Sequence, residues 1–272
     1  MTAKSYSFQV GKFFCMALLD GASILGTQGI LKRYPDATEA DYRQAYASIG
    51  LLLEEADTSF NILLVKTGRE TILIDVGQGG RPRGGHLPES MRLAGISPEE
   101  VTLVIITHAH GDHVLGLLTP DNQAVFPNAT YVMSQKEMVF WQKDLDAADA
   151  LIMDLMKSKG LRLIAMDEQI VEGISAVPLD GHTDGQIGIL LESDGEKLLH
   201  LADALHIPIQ FAHLEWSPTF DADTNRSVPT RRAALQRCAN ENLLTLFYHL
   251  TFPGIGRVKQ GDNGFVWEGV DD

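Results

Sequence analysis

The chain has 272 residues, of which 44% are hydrophobic and 21% charged, and its formal net charge at pH 7 is −14. These proportions are typical of a globular protein with a sizeable core, and no linker or repeat divides the chain, so we expect one domain over residues 1–272. The negative charge disfavours nucleic acid and anionic membranes as partners, because both require a basic surface.

Neither a secretion signal nor a membrane span is indicated. The first ten residues contain no apolar core segment, and no run approaches the eighteen or so apolar residues that cross a bilayer. The two cysteines, Cys15 and Cys238, form no paired motif and are expected to be buried apolar residues. We therefore expect a cytoplasmic protein without a disulfide framework.

The N-terminal part contains a stretch of helical composition at residues 25–57, which includes "TEADYRQAYASIGLLLEEA". Its simplest interpretation is a helix that covers a sheet edge. The alternative is an arm that joins two copies of the chain in a homodimer. The sequence leaves both interpretations open.

The following part alternates between predicted strands and predicted helices. Runs rich in β-branched and apolar residues predict strands at 60–68, 71–77, 101–108, 129–134, 173–179, 186–193 and 197–203. Helical patterns lie between or after them, at 87–95, 134–160 and 229–242. The hairpin-like pair at 60–77 argues against a purely parallel sheet. We therefore expect an α+β fold in which two sheets lie between helices.

The most informative segment is "THAHGDHVLG" at residues 107–116, which follows a predicted buried strand. A loop at the carboxyl end of a strand can aim alternate side chains at one point. His108 and His110 can then share one metal ion, while Asp112 and His113 turn toward a second. Imidazole and carboxylate ligands suit zinc and similar divalent ions.

Further candidate ligands follow other predicted strands. His182 lies in "LDGHTDG", Asp203 in "LLHLADAL" and His249 in "LFYHLTFPG". The remaining histidines have no such setting, and we expect them to be structural: His86, His200, His206 and His213. Seven ligand candidates exceed what one tetrahedral site can use, so the pattern predicts two metal ions.

Several motifs together resemble the metallo-β-lactamase superfamily of binuclear hydrolases, whose fold is an αββα sandwich. In chain order they are "LIDVG", "HAHGDH", "GHT", "LADAL" and "YHLTFPGIG", within about residues 60 to 260. The segments "FPNATYVMSQKEMVFW" and "HLTFPGIGRV" are most similar to the methyl parathion hydrolase and lactonase-like branch.

The resemblance implies a role for each candidate ligand. It assigns His108, His110 and His182 to one metal, Asp112, His113 and His249 to the other, and Asp203 to a bridge between them. It also implies that Asp75 orients a ligand or loop from outside the metal sphere, although a turn former ahead of Gly77 is an equally good interpretation. Zinc is the first choice of metal, with manganese, iron or cobalt as alternatives.

The implied reaction is hydrolysis by a metal-bound hydroxide. Two divalent ions supply +4, and Asp112, Asp203 and a hydroxide subtract three, which leaves a site of about +1 that can hold hydroxide near neutral pH. Asp112 and Asp203 are thus the catalytic carboxylates. The hydroxide would attack an ester, a lactone or a phosphotriester while a metal polarises its oxygen.

The substrate itself is less well determined. Aromatic residues are candidates for the wall of a small-molecule pocket, although core packing explains them as well: Phe140, Trp141, Phe211, Trp216 and Phe220. One alternative is a glyoxalase II-like thioesterase, which should recognise glutathione through late basic residues such as Arg257 and Lys259. The other is a metal-binding protein that has lost catalysis.

Overall fold

Two sheets form the framework of the computed structural model, which describes residues 4–80, 85–262 and 264–270. In the order of its strands, the first sheet contains β1 (Ser5–Val10), β2 (Phe13–Ile24), β3 (Asp57–Lys66), β4 (Thr71–Ile74), β5 (Leu103–Ile106), β6 (Thr130–Ser134) and β7 (Leu161–Ile164). The second sheet, also in strand order, contains β8 (Gln169–Val171), β9 (Ile174–Pro178), β10 (Ile187–Ser193), β11 (Glu196–His200), β12 (Leu244–Leu246), β13 (Ile255–Gly261) and β14 (Gly264–Gly269).

The helices of the described residues lie at the outer faces of the sheets and at one end of the molecule. They are α1 (Gly26–Arg33), α2 (Glu39–Ser48), α3 (Leu87–Leu93), α4 (Gly111–Val114), α5 (Gln135–Trp141), α6 (Ala147–Ser158) and α7 (Thr224–Glu241). None of these helices combines the length and the apolar character that a bilayer crossing needs.

Apolar side chains fill three layers around the two sheets. The inner faces meet in a buried cluster that includes Leu63 and Ile105 from the first sheet and Ile189 and Leu198 from the second. The outer face of the first sheet packs against α3, α5 and α6, and the outer face of the second sheet packs against α7. The predicted αββα sandwich is therefore confirmed.

Strand pairing brings several loops to the same edge of the sandwich. β3 and β4 form the predicted antiparallel hairpin, whereas β4, β5 and β6 are parallel neighbours. In the second sheet β11 and β12 are also parallel. Because parallel strands end at the same edge, the segments that follow β4, β5, β11 and β12 lie where ligands bind in sheets of this kind.

Three predicted segments differ from the observed elements. The helical pattern at 134–160 is two helices, because Asp146 accepts hydrogen bonds from the amides of Ala148 and Asp149 and so begins a new helix. α7 begins at Thr224, where the Asp223 side chain caps it. The helices of segment 25–57 pack against residues 207–216 rather than a sheet edge.

Candidate metal centre

The histidine-rich loop leaves β5 and ends in the single helical turn α4. All four residues of β5 are buried, which fixes the start of the loop. His108 and His113 are fully buried, whereas His110 and Asp112 are partly exposed. Two of the candidate ligands in this loop are therefore shielded from solvent, and the other two are partly accessible to it.

Asp203, which follows β11, lies at the centre of the site and is 2% exposed. Its Oδ2 atom lies 3.1 Å from the Nε2 atoms of both His206 and His249. The same oxygen lies 3.3 Å from Nε2 of His182, and Oδ1 lies 3.1 Å from Nε2 of His113. One carboxylate therefore faces histidines from four different segments.

Three groups of side chains in the described part of the chain bring ligand atoms within 4.8 Å of one another. The first group is His108, His110, His182 and Asp203; the second is Asp112, His113 and His249; the third is Asp203, His206 and His249. The first two groups contain the two ligand sets that the family resemblance implies. The arrangement is therefore consistent with a binuclear metal site.

The polar atoms of the site also fit bound cations. His113 Nε2 and Asp203 Oδ1 face each other at 3.1 Å without forming a hydrogen bond, and neither these buried atoms nor His206 Nδ1 has a hydrogen-bond partner among the described residues. Nδ1 of His110 lies 3.1 Å from Nε2 of His108 and 2.9 Å from Nε2 of His182. Converging imidazole nitrogens leave lone pairs that only a proton or a metal can satisfy, and divalent metals prefer such ligands.

The ionisation of the site favours the same conclusion. Burial lowers the pKa of His108 well below its ordinary value, and burial followed by the nearby His182 lowers the pKa of His110 to about 3. Burial alone would raise the pKa of Asp203, but the surrounding imidazoles, His249 foremost, hold that carboxyl well below its usual range. Two neutral imidazoles beside an ionised carboxylate are in the state that binds a divalent cation.

Despite burial, facing carboxylates raise the pKa of His113 well above its ordinary value, and they also act on His182. Burial would lower the pKa of its imidazole, but the facing carboxylates of Asp203 and Asp221 raise it to about 9. A metal ion that binds to His182 must therefore displace a proton at neutral pH. Metal affinity should fall as the pH decreases.

Two carboxylates outside the ligand groups orient histidines through Nδ1. Asp75 lies 2.8 Å from Nδ1 of His113 and also accepts hydrogen bonds from the amide and hydroxyl of Thr107. Asp221 lies 2.7 Å from Nδ1 of His182. Such contacts leave Nε2 free to face a metal and fix the orientation of the ring.

A third carboxylate, Glu137 in α5, connects two of the ligand loops. It is fully buried and accepts a hydrogen bond from the amide of Ala109, between the first two histidines of the motif. It also accepts hydrogen bonds from the hydroxyl of Thr183 and the amide of Gly185, beside His182. Glu137 thus holds both loops in one relative position.

The site opens into a cavity of about 440 Å³. Four side chains form its apolar part: Leu25, Phe60, Leu115 and Phe220. Arg33 and Tyr34, at the end of α1, add polar groups to the cavity lining. The N-terminal helical segment is therefore part of the site, which the sequence did not indicate.

Of the five aromatic residues predicted for the pocket, Phe220 lines this cavity, and its ring lies edge-on to His182 and His206. Phe140 lines a separate surface depression with Lys136 and Val139. Trp141 and Phe211 are buried in the cores outside the first and second sheets, and Trp216 packs on His213 and Tyr42. These four residues are absent from the cavity lining, and for Trp141 and Phe211 the reason is that core packing occupies their rings.

His206 is one of the site residues that the sequence did not predict. It was expected to be structural, yet it lines the cavity, is 4% exposed and contacts Asp203. The available signal was its position three residues after Asp203, which a tight turn brings to the same side. His200 agrees with the expectation, because it is buried, accepts the Ala202 amide and lies outside the metal groups.

Comparisons with known proteins agree with this geometry. The family model described as the metallo-beta-lactamase superfamily matches residues 58–247, which is more than half of the chain. A ribonuclease Z from Thermobifida fusca is 30% identical over 145 residues, which cover 49% of this chain and 41% of that protein. The chain spans less than half the length of the curated relatives it matches.

Two solved structures are similar over nearly the whole chain. One is AidC, a dizinc quorum-quenching lactonase in complex with the product N-hexanoyl-L-homoserine, with 25% identity, a TM-score of 0.91 and coverage of 99% of this chain and 98% of that one. The other is the hydrolase AbOPH, in the beta lactamase superfamily, with 25% identity, a TM-score of 0.86 and coverage of 100% and 99%. This chain belongs to the metallo-β-lactamase superfamily.

Proposed function

We propose that this chain hydrolyses lactones and related carboxylic esters of small molecules, with two divalent ions as cofactors. The observation that carries the proposal is the pair of ligand groups beneath a single cavity of about 440 Å³, which has the size of a small-molecule site. The similarity to a dizinc lactonase over 99% of the chain supports a lactone as the substrate. Zinc is our first candidate metal, and manganese, iron and cobalt are alternatives.

In this proposal His108, His110 and His182 hold one ion and Asp112, His113 and His249 hold the other. Asp203 would bridge the two, since its oxygen atoms face histidines of both groups. When bound, such a metal pair supplies hydroxide near neutral pH and polarises the oxygen of the scissile group. The protein orients the ligands through Asp75, Asp221 and Glu137.

Two other activities receive less support. Glutathione recognition by Arg257 and Lys259 would suit a thioesterase, but both side chains bond to Asn242 and neither lines the cavity. A nuclease activity like that of the ribonuclease Z relatives would need a surface that attracts RNA, which a net charge of −14 opposes.

A panel of neutral model substrates tests the proposal: an N-acyl-homoserine lactone, an aryl ester, an acyl thioester and a dialkyl aryl phosphate. Zinc-loaded protein should hydrolyse the lactone or the ester with the highest kcat/KM, and chelation of the metals should abolish this activity. Preference for the thioester or the phosphotriester would replace our substrate class with that one. Full metal occupancy without turnover on any member would identify a metal-binding protein that has lost catalysis.

His206 allows a sharper test of the site. Each proposed metal has four ligands without it when Asp203 bridges, so the ring is available to contact substrate from the cavity wall. We expect His206→Ala to keep two metals per chain and to lower kcat roughly 10²-fold, the typical cost of one polar group that contacts the reacting centre. Metal analysis and steady-state kinetics check this. His200→Ala is the control, and loss of a metal from His206→Ala would instead make this residue a ligand.

A further inference from the structure

The cavity contains a cationic side chain that the proposed hydrolysis does not use. Arg33 is the last residue of α1, is half-buried and lines the same cavity as Asp112, Asp203 and His249. Its Nη1 atom donates a hydrogen bond to the carbonyl of Gly29, 3.3 Å away in its own helix. Within the described residues no carboxylate forms an ion pair with it.

The backbone around Arg33 is held firmly at the cavity wall. Its carbonyl accepts a hydrogen bond of 2.7 Å from the amide of Thr219, next to the cavity residue Phe220. The adjacent Tyr34 is 1% exposed, and its carbonyl accepts a hydrogen bond from the hydroxyl of Tyr42. Arg33 therefore extends from a fixed point while most of its five N–H donors remain available.

The charge of the cavity determines which ligand these donors suit. Asp112 and Asp203 are the acidic residues of the cavity lining, and both belong to the metal-binding groups. With two divalent ions and a hydroxide in place, the metal site carries about +1, and Arg33 adds a further positive charge. A guanidinium forms its strongest contacts with carboxylate or phosphate oxygens, which it binds in a paired geometry.

Resting on the proposed hydrolysis, we propose that Arg33 is a specificity residue and that the natural substrate is an ester or lactone bearing a second, anionic oxygen group. The scissile carbonyl faces the metal ligands, and the carboxylate or phosphate of the substrate binds Arg33 across the cavity. The apolar side chains Leu25, Phe60 and Phe220 contact the carbon chain between the two groups.

A matched pair of substrates tests this inference on the metal-loaded protein. The 4-nitrophenyl monoester of glutarate carries a distal carboxylate, and 4-nitrophenyl pentanoate has the same chain length without it. We expect wild type to prefer the anionic ester, and Arg33→Gln to reduce the ratio of the two kcat/KM values roughly 10- to 100-fold, mainly through KM. Arg33→Lys should restore part of the preference. Lys32→Gln, an exposed neighbour in the same helix, should leave the ratio unchanged.

A binding measurement separates this inference from the proposed function. Glutarate and pentanoate are titrated into metal-loaded wild type and Arg33→Gln by calorimetry, so no turnover is needed. A selective loss of glutarate affinity in Arg33→Gln supports the anion site, whether or not the esters are hydrolysed. If neither ester is hydrolysed, only the proposed function fails. Equal changes for both acids and both esters, or no change for any of them, would overturn the role of Arg33. A phosphate-bearing ester that wild type prefers to the glutarate ester would identify phosphate as the group bound.

Discussion

Asp203→Asn is expected to fold normally, to retain at most one metal ion per chain and to lose at least about 10³-fold in kcat. The carboxylate faces histidines of both ligand groups at 3.1 to 3.3 Å, so in the proposed site its charge would hold two cations close together. The amide keeps the shape but changes the proposed site charge from about +1 to +2, which weakens metal binding. Elemental analysis, circular dichroism and steady-state kinetics measure the three quantities.

The same substitution distinguishes a metal bridge from a backbone cap. From the sequence, an aspartate at a strand end could simply bind backbone amides, but no amide among the described residues donates to the Asp203 carboxylate. Asp146→Asn is a matched control, because asparagine also caps helices well and Asp146 caps α6 without belonging to the metal-binding groups or the cavity lining. Near-normal turnover and two metals in Asp203→Asn would refute the bridging role.

The candidate metal ligands could be predicted from the sequence because they follow predicted strands. His108, His182 and His249 each follow a short apolar run, and the carboxyl ends of such runs converge at one edge of a sheet. Neither the register of the strands nor any distance was needed for that inference. The structure then places His108 and His182 in one metal-binding group and His249 in the neighbouring groups.

The cavity residues outside the metal-binding groups could not be predicted from the sequence in the same way. Arg33 and Tyr34 belong to a helix whose sequence shows only that it is helical, and their approach to the site depends on packing against residues 207–216. A buried aromatic residue and a pocket aromatic residue also look alike in sequence, so Trp141 and Phe220 could not be separated. Both the position of Arg33 and Tyr34 and the distinction between Trp141 and Phe220 depend on tertiary packing.

The N-terminal strands were also not predicted from the sequence. β2 reads "FFCMALLDGASI", in which a run of seven apolar residues precedes Asp20 and Gly21, and such a run does not distinguish a strand from a buried helix. Asp20 is buried because its carboxylate accepts hydrogen bonds from three amides of a distant loop, including those of Gln78 and Leu87. A buried charge of this kind follows from long-range contacts, which no local pattern contains.

The second large effect concerns Arg231 in α7, which is 1% exposed and fixes the segment between Asp203 and Phe220. Its guanidinium donates hydrogen bonds to the carbonyls of Ala204 and Leu214 and lies 3.3 Å from Asp221, the carboxylate that orients His182. Burial lowers the pKa of the Arg231 guanidinium, and the contact with Asp221 opposes this decrease. One side chain therefore supports both the fold and a ligand.

Arg231→Leu should lower the free energy of unfolding by about 3–5 kcal/mol, because it removes the guanidinium partner of the buried Asp221 carboxylate and leaves two carbonyls without donors. The melting temperature should fall by on the order of 10 °C. Metal affinity should fall roughly 10- to 100-fold, since Asp221 loses the partner that positions it against His182. Denaturant unfolding of the metal-free protein and competitive metal titration measure the two effects separately.

Arg232→Leu changes the exposed neighbour and should alter stability by no more than about 0.5 kcal/mol. An unchanged unfolding midpoint in Arg231→Leu would show that leucine packing compensates fully for the lost pair, as hydrophobic replacements of buried ion pairs sometimes do.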